Sequence, residues 1–338
     1  MKLLELNNVS IDYKTIEGNI RAVDKICLSI EDGEILGLVG ESGCGKTTLI
    51  KSIIGLLPQN GTVAEGEIFF ENENLLKLTK DEMRKKRWKD ISMITQSAMN
   101  SLNPVYKISW QIVEAIQAHK EISKEDAYKR AEELFELVGL EKGRLNDYPH
   151  QYSGGMKQRA IIAMALALNP KIIIADEPTT ALDVIVQSQI LERINKLLEN
   201  YQGSMILVTH DMSVIAQTCT KVAVMYGGKI VEYGEVNQVF KEPNHPYTMG
   251  LKNAFPSLVG EKNDLISIPG IPPNLLNEIK GCRFKDRCPF SIEKCSQENP
   301  KKTNIEEGFF YCHREEEREK LRVLASKQET WLQENIKE

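Results

Sequence analysis

Residues Gly40-Glu41-Ser42-Gly43-Cys44-Gly45-Lys46-Thr47-Thr48 fit the spacing G-x-x-x-x-G-K-[ST]. In such a loop the glycines let successive backbone N–H groups converge on the α- and β-phosphates of a nucleotide, Lys46 reaches the outer phosphates, and the Thr47 hydroxyl ligates Mg²⁺. Gly40, Ser42, Gly43, Cys44, Gly45 and Thr48 belong to the same cradle.

The stretch KIIIADEP supplies complementary chemistry. Its apolar run delivers Asp176 and Glu177 at a strand's carboxyl end, where Asp176 can hold the magnesium shell and Glu177 can orient or deprotonate an attacking water. His210 ends MILVTH and can touch the terminal phosphate. Taken alone, a strand-end histidine is more often a satisfied packing residue. Gln96 ends ISMITQ, and its amide can reach both Mg²⁺ and the attacking water.

A second glycine-led anion site follows, in HQYSGGMKQR. Ser153, Gly154 and Gly155 run directly into the apolar segment AIIAMALALN, so unpaired backbone N–H groups stand at a helix start. One chain thus carries two phosphate-binding devices.

These residues need a scaffold. EILGLVG, ISMITQ, KIIIADE and MILVTH are nearly continuous apolar runs, the pattern of parallel strands covered on both faces. Ligands gather beyond the carboxyl ends of such strands. The short alternating segments LLELNNVSIDY, RAVDKICLSI and GEIFFEN predict an antiparallel sheet near the N-terminus. SWQIVEAIQAHK and KEDAYKRAEELFELVGL carry apolar positions three and four apart, with Gly139 near the second stop, so residues 97–155 read as a helical insert. KVAVMYGGKIVEYG reads as a hairpin on a Gly-Gly turn that closes the domain.

The chain has 338 residues, 41% hydrophobic and 27% charged, which fits a folded protein of about two domains. Its net charge of -5 gives no support to nucleic-acid binding, so no nucleic-acid partner is expected. The N-terminus lacks the basic flank, long apolar core and cleavage site of a secretion signal, and no apolar run approaches the ~20 residues of a membrane span. Any membrane role is therefore expected to be peripheral.

The ordered set GESGCGKTT, ITQ, YSGGMKQR, IIIADEPTTALD and VTH resembles the nucleotide-binding subunit of ATP-binding cassette transporters. The resemblance implies an α/β P-loop NTPase with a RecA-like parallel sheet core, an N-terminal antiparallel β subdomain and a helical subdomain, the whole spanning 1–235. It implies ATP as nucleotide and Mg²⁺ as metal, with Tyr13 stacking on adenine. It also implies that Ser153, Gly154 and Gly155 bind the γ-phosphate of ATP held by an opposing subunit, and that Asp183 communicates between the two sites. Where the family most often has Leu and Gln, this chain has Tyr152 and Met156; the Ser-Gly-Gly centre is intact.

After about Val236 the composition shifts toward Pro, Asn and Lys. NHPYTMGLKNAFP, IPGIPPNLL and GCRFKDRCPFSIEKC resemble the C-terminal region of the oligopeptide/dipeptide importer branch, so 236–338 is read as a small appended domain. Cys282, Cys288, Cys295 and Cys312 lie close together, and without an export signal they read as a metal site before a disulfide framework. Their spacing is wider than the usual zinc pairing, which leaves an iron–sulfur cluster, zinc and unligated thiols as alternatives. The branch resemblance implies a [4Fe–4S] cluster. The closing run HREEEREKLRVLASKQETWLQENIKE reads as a solvated helix with a narrow apolar stripe.

Together these resemblances imply an ATPase on the cytoplasmic face of the cell membrane that powers di- or oligopeptide import. Its implied partners are a second ATPase subunit, two transmembrane permease subunits and an exported substrate-binding protein. A nickel complex or an oligosaccharide is an alternative cargo. A soluble cassette ATPase outside transport is the alternative class, although such proteins generally carry two cassettes or a long coiled coil.

Overall fold

The computed structural model describes residues 2–95, 101–179, 182–254, 266–276 and 279–332. Its strands are β1 (Lys2–Thr15), β2 (Gly18–Glu31), β3 (Ile35–Val39), β4 (Gly61–Phe70), β5 (Glu73–Asn74), β6 (Ile91–Ile94), β7 (Ile172–Asp176), β8 (Ser204–Val208), β9 (Lys221–Tyr226), β10 (Lys229–Glu235), β11 (Lys302–Ile305) and β12 (Gly308–Tyr311). The chain forms two compact units. One comprises Met1–Leu3, Ile30–Ile35 and Asn74–Val208; the other comprises Leu4–Ser29, Leu36–Glu73 and Thr209–Glu338.

In the first unit β6, β7 and β8 run parallel, with Ile91 opposite Ile172, and Ile172 opposite Ser204. Every residue of β7 and β8 is buried, as their unbroken apolar runs require. Helix Lys124–Leu137 is capped by Ser123, whose side chain accepts from the Asp126 N–H, and buries Ala127, Ala131, Leu134 and Phe135 on one face. Gly139, in the left-handed region at φ 70°, lets the chain leave that helix. Helices Ile108–Gln117 and Gly154–Ala165 pack against it. Helices are thus present where the three- and four-residue spacing predicted them.

In the second unit β2, β1, β4 and β5 make the antiparallel sheet expected from the N-terminal alternation. The fully buried β3 lies parallel to β9, and β9 turns through Gly227 and Gly228 into β10. Both glycines have positive φ (53° and 82°), the geometry of a two-residue hairpin turn that suits strand twist. The hairpin does not close the sheet. β12 hydrogen-bonds to β10, Glu232 opposite Phe310 and Tyr233 opposite Phe309, and β11 pairs antiparallel with β12. The strand set is thus mixed rather than purely parallel.

Buried polar contacts hold the C-terminal part of this unit. The Glu232 carboxylate, fully buried in β10, accepts from the backbone N–H groups of Asn244 and His245 and from the Asn244 amide. His245 caps helix Pro246–Asn253, its Nδ1 accepting from the Tyr247 N–H at 3.0 Å. The rings of Tyr226, Tyr247 and Phe284 meet at centroid separations of 4.6, 5.1 and 5.4 Å. The closing run forms helix Arg318–Ala325, which buries Leu321 and Ala325 and leaves Val323 exposed, the narrow stripe expected of it. Trp331 is buried beyond it, its indole N–H donating to the Ala325 carbonyl at 2.9 Å.

Candidate functional site

The buried β3 ends at Val39 and releases the chain into the glycine loop, and helix Lys46–Ile53 starts at the lysine. Gly40 and Gly45 cannot be replaced without rebuilding the loop. Gly40 has φ 148° and a Cβ there would collide with the Met225 carbonyl; Gly45 has φ 103° and its Cβ would stand 2.5 Å from the Ala22 carbonyl. Gly45 also provides no side-chain cap, so no side chain competes for the helix's first N–H groups there.

Lys46 folds back over the loop. Its Nζ donates to the carbonyls of Gly40 at 2.6 Å and Glu41 at 3.0 Å. Burial pushes the Cys44 thiol above its ordinary pKa while the Lys46 ammonium pulls the other way, so this cysteine stays protonated and unreactive. Ser42 and Gly43 are exposed. Tyr13 reaches the same helix from β1, its hydroxyl 3.1 Å from the Thr48 hydroxyl, with Gly61 leaving room for its ring. The second unit thus brings Tyr13 and the phosphate loop together. It also contains His210, exposed and followed by Asp211, which caps helix Met212–Thr218 through the N–H groups of Ser213 and Val214.

The first unit carries the acids. Asp176 closes β7 and is 3% exposed. Glu177 has φ 49°, a left-handed conformation uncommon outside glycine, and its N–H donates to the Val208 carbonyl at 2.8 Å. Strain of this kind persists where surrounding bonds impose it, and it gathers at working residues. Gln96 lies outside the described residues, as does the segment directly after it.

The Ser153-Gly154-Gly155 helix start is also in this unit. The Ser153 hydroxyl caps its own helix by accepting from the Met156 N–H at 3.3 Å, and Ser153 and Gly154 are exposed. Tyr152 replaces the family's usual leucine without loss of packing: its ring is buried and its hydroxyl donates to the Arg144 carbonyl at 2.7 Å. Asp183 caps helix Val184–Tyr201, accepting from the Val186 N–H at 3.0 Å.

Sequence reasoning missed three features. Gln158, 1% exposed, donates from Nε2 to the Pro178 carbonyl and ties the Ser153 helix to the acidic segment. Its only sequence signal is a polar residue facing the core within an apolar helix. Val105, Tyr106 and Trp110 form an exposed apolar patch, the two rings stacked at 4.1 Å. Arg287 binds Glu41 of the phosphate loop with both guanidinium arms.

The cysteines are all free thiols. Burial pushes Cys282 up to about 12, Cys312 up to about 11 and Cys288 well above the ordinary thiol value, with neighbouring thiols adding to each. Cys282, Cys288 and Cys312 each accept the N–H of the residue two positions on: Phe284, Phe290 and Arg314. Among the described residues, however, no group of three or more His, Cys, Asp or Glu side chains is arranged to hold a metal ion. The expected cluster, or its zinc alternative, is not preformed by these side chains as they lie. No helix among the described residues is long and apolar enough to cross a membrane.

Comparison with known proteins agrees with this geometry. The ABC transporter family matches residues 23–180, and the C-terminal region of oligopeptide/dipeptide transporters matches residues 231–295. The dipeptide transport ATP-binding protein DppD of Lactococcus lactis subsp. cremoris is 46% identical over 302 residues, covering 88% of this chain and 86% of its own. The oligopeptide transport ATP-binding protein OppD of Escherichia coli is 43% identical over 300 residues, covering 88% and 89%. Among solved structures, the dimeric post-hydrolysis state of the ATP-binding cassette MJ0796 bound to ADP and Pi aligns with a TM-score of 0.64 at 32% identity, over 69% of this chain and 98% of that one.

Proposed function

The chain belongs to the ABC transporter family, in its oligopeptide/dipeptide branch, and from that premise we propose that its ATP hydrolysis powers uptake of di- or oligopeptides. The observation that carries the reading is the loop of Gly40–Thr48, with Lys46 poised over its carbonyls and a helix opening behind it. Residues 1–235 are taken as the nucleotide-binding domain, with 97–155 its helical part, and 236–338 as the importer-type extension.

The site residues take the following roles. Gly40, Ser42, Gly43, Cys44 and Gly45 cradle the α- and β-phosphates, and Lys46 leaves the Gly40 and Glu41 carbonyls for the outer phosphates. Tyr13 stacks on adenine beside Thr48. Thr47, Asp176 and Gln96 would hold magnesium; oxygen donors suit that ion, and Asp176 is a carboxylate buried at a strand end. Held there, Mg²⁺ would supply positive charge against the phosphates. Glu177 orients and deprotonates the water, and its left-handed backbone at φ 49° supports a working role. His210 meets the γ-phosphate.

Ser153, Gly154 and Gly155 act on nucleotide held by a second ATPase subunit, and the exposure of Ser153 and Gly154 supports that assignment. Asp183 relays between the two sites. Permease subunits dock on the helical part, where Val105, Tyr106 and Trp110 stand exposed, and hold the chain at the cytoplasmic face of the membrane. An exported binding protein delivers the cargo.

For Cys282, Cys288, Cys295 and Cys312 a [4Fe–4S] cluster remains the proposal. Four free, soft thiols and the paired N–H···S bonds support it in donor chemistry, although the thiols would have to turn toward a common centre. Its role is structural, and no step of hydrolysis is routed through it.

The functional reading is tested by replacing Glu177 with Gln in cells and following uptake of a labelled dipeptide. Uptake should fall at least about a hundredfold while the purified chain still binds ATP. Unchanged uptake would overturn it.

A further inference from the structure

Glu41 is an odd residue for a phosphate loop, since its carboxylate stands among groups meant to receive a polyanion. Three bonds fix it. Its N–H donates to the Tyr247 hydroxyl at 2.9 Å, its carbonyl accepts from Lys46, and its carboxylate meets Arg287 in a two-armed pair, Nη1 to Oε2 at 2.6 Å and Nη2 to Oε1 at 2.9 Å.

Arg287 is only 6% exposed, and all five of its donors have an acceptor. Beyond Glu41, Nε donates to the Pro269 carbonyl at 2.8 Å, Nη2 to the Ile268 carbonyl at 3.3 Å and Nη1 to the Tyr226 hydroxyl at 3.3 Å. Gly270, at φ 80°, lets the IPGIPP turn close on the arginine's stem. Residues 268–270 thus close on this cation, which reaches the phosphate loop from 246 residues away.

We infer that Arg287 is a positioning residue for nucleotide binding: by forking onto Glu41 it neutralises the one carboxylate of the phosphate loop and fixes the loop in its receiving shape. This rests on the reading of Gly40–Thr48 as the nucleotide's phosphate loop. An unpaired Glu41 would repel the triphosphate, and a loop freed from the fork would have to be ordered again at each binding event.

Equilibrium binding of ATP to the full chain, by competition with a fluorescent ATP analogue, tests it at low and high salt. Lys46→Ala checks the underlying reading, and should abolish binding. Arg287→Gln should weaken binding about tenfold or more, with the deficit shrinking at high salt because the exposed charge is screened. Glu41→Gln removes the carboxylate's charge but keeps one amide oxygen for the guanidinium, and should bind within about threefold of the parent. The double variant should return to within about threefold of the parent, since removing both partners removes the stranded charge.

Binding by Arg287→Gln within about twofold of the parent would overturn the inference, as would a double variant no tighter than the single. If Lys46→Ala instead binds normally, the phosphate-loop reading itself fails. Should Arg287→Gln not fold, Arg287→Lys carries the test: it keeps the charge and loses the fork. It should bind more weakly than the parent, with a deficit that salt leaves nearly unchanged because Glu41 still has a cation beside it; binding as tight as the parent's overturns the inference.

Discussion

Gln158 donates its side-chain N–H to the Pro178 carbonyl, so the helix that starts at Ser153 holds the chain one residue beyond Glu177. The carbonyl has a partner that only this buried side chain supplies among the bonds described. Replacing Gln158 with Ala would leave it unpaired and loosen the turn at Glu177. The expected outcome is a fall in kcat of about tenfold with ATP affinity nearly intact, as for a group acting after binding. Steady-state kinetics beside equilibrium ATP binding measures both; a loss confined to affinity would contradict it.

Ser153 and Lys46 should complement each other across subunits. Lys46→Ala removes one chain's grip on its own nucleotide, and Ser153→Arg blocks the face offered to the partner. Each variant alone should be inactive. Mixed pairs of the two retain one intact site, so mixing should restore up to about a quarter of the parental ATPase rate if the pair is made of identical copies. No recovery from two folded, dimerising variants would count against action on the partner's nucleotide.

The histidine in the C-terminal cap should make the fold acid-sensitive. Burial lowers the pKa of His245 from 6.5 to about 3, so it stays neutral in the folded protein while the unfolded chain takes up a proton below 6.5. Stability that His245 leaves intact above 6.5 is therefore lost as the pH falls toward 3, by up to about 1.4 kcal/mol per pH unit. Burial raises the pKa of Glu232 instead, and its effect has the opposite sign. His245→Asn keeps a capping side chain and removes the titration. Its thermal midpoint should decline less than the parent's between about pH 6 and pH 4, and an identical decline would exclude His245 as the cause.

The cysteines make a spectroscopic prediction. Chain purified without oxygen should be brown, contain iron and sulfide, and bleach when Cys288 is replaced by Ser. A colourless, iron-free protein with normal ATP binding would remove the cluster from the account.

The parts legible in sequence were those fixed locally. A phosphate loop is defined by nearby glycines and a lysine, and the buried runs of β3, β7 and β8 show on inspection because both faces are apolar. The helix start at Ser153-Gly154-Gly155 follows from short spacing as well. What stayed hidden depends on distant partners. β12 is four residues long and pairs with a strand more than seventy residues earlier, too weak a pattern to read alone. The Arg287–Glu41 pair joins two ordinary charged residues that no spacing rule connects. The left-handed turn at Glu177 is imposed by its bond to Val208, not by its residue type.

The pairing of β12 with β10 changes what it would mean to shorten this protein. A chain cut after Glu235 would bare the outer rim of β10, where Ile230 and Val231 are nearly buried, and offer open backbone groups to any neighbouring molecule. In the intact chain the rim passes instead to β11, a four-residue strand carrying Lys302, whose ammonium lies 4.1 Å from the Phe309 ring centre. The cysteine-bearing tail is in this sense a guard against sticking, and clipped forms should precipitate even if their nucleotide loop is untouched.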